Sequence, residues 1–557
     1  MLETHSYHQS LEAIRLLFPQ PVSDPIHDSY FVHTVLRTLD RVDRMKSEIP
    51  ILDGAKGPLD YKKALKSRLQ EQSRELNPVL DDLVGYLSGS TLWGHPCVQQ
   101  NVVPPATIAS LIGALLAGLV NPNMSWDEYA QGLAVAEVET CAIAAELVGY
   151  DPEKAGGVFT FGGTGTTLYA VRAALTACIP DSMRKGVHQN VRLIGSDQGH
   201  YCRHTVASWL GLGADQVLTI PTRSDNSMDL RVLEREWRAA LAEGVQVVAV
   251  IATMGTTDSF GIDDLESIVA LRNELVQEFE LDYLPHIHAD AVIGWAWSAF
   301  RGYSYEQNPL GFRPRTLRAI AAAMRKLNAL GLADSVGLDF HKTGFAPYIS
   351  SAVLFKDKAK LHSLSRDVES MPYLYHFGQY KPGIYTLETS RSATGVMAAL
   401  ANFKLLGRRG FQLLLGHLIE MTQLLREYLE GHACSTVLNR DNVGPVTLFR
   451  VYPEDVDTFA IKEREENDPA AAELVRRHNS FNRQVSELLH ERAMEGNGIL
   501  LSMTECYRPT ASGEPLLALK SYMMSPFIEE KHVKQVFDTV LCVRKELQRQ
   551  SEPVPVG

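Results

Sequence analysis

Between about residue 130 and residue 355, short apolar runs alternate with segments of helical period, and nothing else in the chain limits its fold so strongly. "VRLIG" (191–195), "QVLTI" (216–220), "VQVVAVIAT" (245–253) and "LPHIHAD" (284–290) have the length and composition of strands. "SVGL" and "ISSAVLF" repeat the pattern on either side of residues 339–348. Between the runs, "TLYAVRAALTAC", "RHTVASWLGLG" and "DLRVLEREWRAALAEG" space their apolar residues as helices do. Such alternation predicts an α/β layer with a largely parallel sheet. Sheets of this kind bind ligands in the crevice at the carboxyl ends of their strands, so chemistry is expected there.

At 557 residues the chain exceeds what one core organises, and its pattern divides in three. Residues 1–95 are polar and helical without a core signal of their own. Residues 96–400 carry the α/β pattern. Residues 401–557 read as a smaller α+β domain, with an amphipathic helix over 411–430, a strand at 445–452 and a last helix after Glu529. The charged stretch near 454–478 reads as a solvated helix or loop. The most apolar stretch, 106–120, is too short to span a membrane and predicts a buried helix. A formal charge of −12 argues against a general nucleic-acid or anionic-membrane partner. Seven scattered cysteines without a CxxC pair, and a start lacking a secretory pattern, suit reduced thiols and a cytoplasmic location.

Five places could carry chemistry. "FTFGGTGTTLYAVRAAL" (159–175) enters a helix through paired glycines and hydroxyl residues, an arrangement suited to an anion or simply to a capped turn. In "HIHADAV" (286–292), His286, His288 and Asp290 share one strand face and could bind a metal, or the carboxylate could pair with a cationic nitrogen. "SDQGHYCRH" (196–204) puts His200 in the loop after a strand, and "IATMGTTDSFGIDDL" (251–265) ends a buried strand in a Gly-Thr-Thr turn. Lys342 lies between two apolar runs, where a lysine rarely belongs unless its amine is used. Together these places offer an anion cradle, an aromatic ring, a carboxylate and an amine at neighbouring strand ends. Pyridoxal phosphate needs that set: a lysine for its aldehyde, a carboxylate for its pyridine nitrogen and a helix N-terminus for its phosphate.

The order GGT, DQGH, ATMGTT, HADA, DFHKTG resembles the group II pyridoxal-phosphate-dependent amino-acid decarboxylases, which have the aspartate-aminotransferase-like fold (fold type I). The resemblance runs over about 85–400, and "HPCVQQNVVPP", "LVNPN" and "GIYTLETSRS" look most like bacterial tyrosine decarboxylases. It implies a large sheet domain of the seven-stranded type and a homodimer with shared sites, the N-terminal helices packing across it. Lys342 would bind the cofactor aldehyde, Asp290 the pyridine nitrogen, and His200 would stack on the ring and meet the substrate carboxylate. Thr253 would sit against the ring, while Gly163, Thr164 and His341 would hold the phosphate. The proton donor would be a loop tyrosine, Tyr380 or Tyr385 before Tyr373 or Tyr375. His95, Asn101 and Trp93 could line a pocket for an aromatic substrate, and Arg391 could serve the second carboxylate of an acidic one. Other carbon–carbon lyase or decarboxylation-dependent oxidase chemistry stays open. Three features depart from the pattern: Asp339-Phe340 where many relatives carry Asn-Pro, "VIGW" after Asp290-Ala291, and a long stretch at 301–327. The apolar surroundings of Lys342 are expected to depress its pKa.

Overall fold

The computed structural model describes residues 7–54, 56–372, 378–496 and 498–551. Its strands are β1 (Val98–Gln99), β2 (Gly156–Thr160), β3 (Val191–Ser196), β4 (Val217–Ile220), β5 (Gln246–Thr253), β6 (His286–Asp290), β7 (Ser335–Asp339), β8 (Ser351–Phe355), β9 (Ser435–Val437), β10 (Val446–Val451), β11 (Leu500–Thr504) and β12 (Ala518–Tyr522). Seven form one sheet in the order β2-β8-β7-β6-β5-β3-β4, all parallel except β8, which opposes both neighbours. The other five form a second sheet, β1-β11-β12-β10-β9.

The β-branched run of β5 is covered on both faces, which is why it reads as a continuous apolar segment. Burying each Val or Ile there is worth about 1.5–3 kcal/mol. Register sets Thr253 opposite Asp290, and Asp290 opposite Gly337. The carboxyl ends of β5, β6 and β7 therefore lie side by side.

β2 has no apolar start because its glycines are squeezed. A Cβ on Gly156 would lie 2.7 Å from Lys358 Cβ, and one on Gly157 would lie 2.5 Å from Leu354 Cδ2 and 2.9 Å from Cys141 Sγ. The helix expected over 411–430 begins far earlier, at Thr394, and runs to Glu430 with a break at Gly407 (φ 54°, ψ −174°). Its first turns pack into the large domain and its last turns into the small one. The boundary read at 400/401 thus falls inside a helix, and β1 carries residues 98–99 into the small-domain sheet.

Two expectations are corrected. The helix over the 106–120 stretch, Ile108–Val120, buries only its small residues Ser110, Gly113 and Ala117. Gly113 lies against the backbone of the long helix, where a Cβ would come 2.6 Å from Met397 O. That approach turns Leu111, Ile112, Leu115, Leu116 and Leu119 outward, about half exposed. The charged stretch near 454–478 is likewise not wholly solvated. Glu465, on the helix Thr458–Asn467, is fully buried and meets Arg450, Tyr452 and His478.

Candidate active site

Lys342 sits in a tight turn that leaves β7. Ala346 N donates to Phe340 O at 3.0 Å, and Gly344 is required because a Cβ there would lie 2.6 Å from that same oxygen. Asn402, on the long helix, donates to Gly344 O at 2.7 Å and Phe345 O at 2.9 Å. Thr343 Oγ1 donates to Ile293 O at 2.8 Å, and Trp295 Nε1 to Asp339 O at 3.1 Å. Phe340 is fully buried between Phe159, Trp295 and Phe403. Phe340 thus anchors the turn in the core where proline would have stiffened it.

Lys342 Nζ lies 2.9 Å from Asp339 Oδ2. Burial alone would lower the lysine's pKa, but Asp339, Asp290 and Tyr348 outweigh it and hold the amine above its ordinary value. The expected depression is therefore reversed, because two carboxylates share the amine's surroundings. His341 is buried, its Nδ1 3.0 Å from Ser350 O and its Nε2 3.5 Å from Asp339 Oδ2.

Asp290 closes β6 and is buried, and its Oδ1 has no hydrogen-bond partner. Burial pushes its carboxyl up, with His200 and Lys342 pulling back. His200 is half-buried beside it. Cys202 N donates to its Nδ1 at 3.2 Å, which leaves Nε2 to carry the proton of the neutral ring. Burial lowers its pKa against the pull of Asp290. The turn bearing His200 is held by the buried Arg203, which donates to Gly199 O and His200 O. Thr253 N donates to Asp263 Oδ2 at 2.7 Å, and a Cβ on Gly199 would lie 3.0 Å from Thr253 Oγ1.

The helix Gly163–Cys178 starts beside this group. Gly162, its cap, has φ 109°, and the first amides, those of Gly163 and Thr164, find no acceptor among the described residues. A Cβ on Gly163 would fall 3.1 Å from both Val292 Cγ1 and Asp339 Oδ2. A bare backbone there leaves room for an anion at a helix N-terminus. The unpartnered Asp290 oxygen, the paired lysine and this cradle fit pyridoxal phosphate.

A sequence model of the "Pyridoxal-dependent decarboxylase conserved domain" matches residues 58–451. The chain belongs to this decarboxylase family. The chain is 27% identical over 475 residues to an L-2,4-diaminobutyrate decarboxylase of Acinetobacter baumannii, covering 82% of this chain and 81% of that one. An L-tyrosine decarboxylase of Enterococcus faecium matches at 29% over 247 residues, 42% of this chain and 39% of the relative. Among solved structures, the glutamate decarboxylase domain of a Vibrio parahaemolyticus diaminobutyrate protein superposes with a TM-score of 0.72 at 18% identity, covering 96% of this chain and 99% of that one. The fold is fold type I, and the protein is a pyridoxal-phosphate-dependent amino-acid decarboxylase.

Within the decarboxylase, the strand ends bring Lys342, His341, Asp290, His200, Thr253 and Gly163 to one crevice, with Thr164 next to Gly163. They do not bring the other named residues there. Tyr380 Oη donates to Glu137 Oε2 at 3.0 Å, and Tyr385 reaches Tyr380. The groups acting on Tyr380 are Glu137, Tyr385, Arg391 and Cys141, none of them in the Lys342 cluster. Arg391 is buried and bidentate on Glu137, at 2.6 and 3.0 Å, and also donates to Met124 O. The buried carboxylate of Glu137 thus holds Arg391 and Tyr380 directly, and Tyr385 reaches it only through Tyr380. Tyr373 and Tyr375 lie outside the described residues. His95 bonds Glu48 O, Asn101 Oδ1 accepts from Val102 N, and Trp93 packs on Ile51, Val98 and Leu500. His95 and Trp93 stand where the N-terminal segment meets the small domain.

His286 and His288 do not turn to Asp290 as a metal site would require. Both share Ser335 Oγ, each at 2.8 Å. Among the described residues no group of three or more His, Cys, Asp or Glu could hold a metal ion. Tyr348 was not among the residues singled out from the sequence; its ring is tilted against that of His341, centroids 4.0 Å apart, and it interacts electrostatically with Lys342. Its place six residues after the lysine was the available signal.

Proposed function

We propose that this decarboxylase acts on an L-amino acid whose side chain carries no carboxylate, and that Lys342, Asp290, His200 and Tyr348 form its working set. The state of Arg391 supports the first part: the cation offered for a substrate's second carboxylate is already consumed by Glu137. Two substrates follow. An aromatic, tyrosine-like one agrees with the tyrosine decarboxylase relatives, which match 40–60% of the chain, and 2,4-diaminobutyrate agrees with relatives that match 67–82% of it.

Pyridoxal phosphate, when bound, supplies the electron sink that lets the substrate's carboxylate leave as CO₂. The residues do the rest. Lys342 Nζ would hold the cofactor's aldehyde. Asp290, with its free oxygen, holds a proton on the pyridine nitrogen. His200 would cover the ring and meet the substrate carboxylate through Nε2, and Thr253 would back the ring. Gly163, Thr164 and His341 receive the phosphate. With Tyr380 and Tyr385 committed elsewhere, the proton for Cα is assigned to Tyr348 Oη, the described tyrosine beside Lys342.

The working unit is proposed to be a homodimer in a reducing, cytoplasmic setting. In the helices Pro25–Arg44, Tyr61–Ala64 and Leu76–Gly85 no residue is buried, and the outward leucines of Ile108–Val120 need a cover. All seven cysteines are free. Amine formation and CO₂ release from L-2,4-diaminobutyrate, L-tyrosine, L-aspartate and L-glutamate test the substrate reading. Turnover of only the two acidic substrates would overturn it, and Tyr348→Phe should lower kcat by at least about 10²-fold.

A further inference from the structure

Asp339 places a carboxylate where an anion cradle is being built. It closes β7 and is 1% exposed. One oxygen, Oδ1, accepts from Ser351 Oγ at 2.6 Å. The other, Oδ2, lies 2.9 Å from Lys342 Nζ and 3.5 Å from His341 Nε2, and it lines the space in front of Gly163. In the cofactor-free chain this carboxylate neutralises the amine and faces the positive end of the helix Gly163–Cys178. Toward an arriving phosphate it is a like charge at close range.

We propose that Asp339 is the resting counter-ion of Lys342 and of the phosphate cradle, and that the Asp339–Lys342 pair must separate before the cofactor is captured. The inference rests on Lys342 being the cofactor's lysine, as assigned above. Capture needs an unprotonated amine, and Asp339 favours the ammonium form. The groups facing the amine are Asp339 at the end of β7, Asp290 at the end of β6, Tyr348 in the following turn, and the two imidazoles of His200 and His341. Asp339 alone is in salt-bridge contact with Nζ. Asparagine at this position would keep the shape and the Ser351 bond while removing the charge.

The test uses the full chain freed of cofactor, acetylated with acetic anhydride across a pH series, with peptide mass spectrometry reading Lys342. In Asp339→Asn the half-labelling pH of Lys342 should fall by at least about one unit, which is about tenfold more labelling at a fixed lower pH. Asp339→Glu should retain the unaltered midpoint, and the exposed Lys66 should not respond in any variant. Inorganic phosphate, titrated calorimetrically, should bind Asp339→Asn several-fold more tightly. If Asp339→Asn fails to fold, Asp339→Ser is read in the same way. An unchanged Lys342 midpoint, weaker phosphate binding, or an equal shift in Ser351→Ala, which leaves the charge in place, would overturn the proposal. Borohydride reduction of the loaded chain identifies the cofactor's lysine separately. A different lysine there would sink the assignment of Lys342, while the labelling profile would still decide whether Asp339 sets its protonation.

Discussion

The two histidines ahead of Asp290 should make stability depend steeply on pH. His286 and His288 are 2% and 0% exposed, and both lean on the single hydroxyl of Ser335. Their other nitrogens, His286 Nδ1 and His288 Nε2, have no partner. Burial holds the imidazoles down at about 4 and about 3. In the unfolded chain both titrate near 6.5, so between about pH 4 and 6.5 the unfolded state binds more protons than the folded one. Stability is therefore complete above that window and is lost as pH falls through it. At about pH 5 each histidine costs about 2 kcal/mol, or about 4 kcal/mol for the pair. The buried Asp263, raised to about 6 by burial, works in the opposite sense between its ordinary value and 6. A variant comparison cancels it. Urea unfolding at about pH 7.5 and about pH 5 should show His288→Gln losing about 2 kcal/mol less than the unaltered chain. Equal losses would refute the reading that His288 is held neutral between β6 and β7.

Asp290→Asn preserves the shape at the end of β6 and removes the charge, so kcat should fall on the order of 10²–10³-fold with little change in thermal stability. Glu137→Gln strands the buried guanidinium of Arg391 and should cost about 3–5 kcal/mol in unfolding experiments, much of it recovered in Glu137→Leu/Arg391→Met. Gly113→Ala forces a methyl against Met397 O and should cost about 1–3 kcal/mol, read as a lower Tm. Leu115→Asp with Leu116→Asp should leave the fold of one chain intact by circular dichroism and shift its sedimentation to that of a monomer.

What could be read from the sequence was whatever a local pattern specifies. β3 and β5 announce themselves because parallel strands buried on both faces are largely apolar, and residues at the carboxyl ends of neighbouring parallel strands must meet in space. That Lys342, Asp290 and His200 stand at neighbouring strand ends was therefore within reach of the residues, whereas Thr253 was singled out through the family resemblance. β2 was out of reach, because its glycines answer to Lys358, Leu354 and Cys141, which are distant in the chain. The pairing of Arg391 was hidden for the same reason. A lone arginine after a Gly- and Pro-containing loop reads as a ligand for a carboxylate, whereas its real partner, Glu137, lies 254 residues away. Tyr380 and Tyr385 follow Arg391 into that buried group.

The stretch at 106–120 shows how far composition reaches. An apolar helix must be covered, but composition does not say by what. Ser110, Gly113 and Ala117 recur at helical spacing and let the long helix approach backbone to backbone. Once the small residues face inward, the large ones must face outward, so a packing rule that serves one contact creates the demand for another. The N-terminal helices pose the same demand, since their leucines and aromatics find no core within one chain. Both surfaces are too apolar to leave in water. The second copy proposed above would cover both without a further partner.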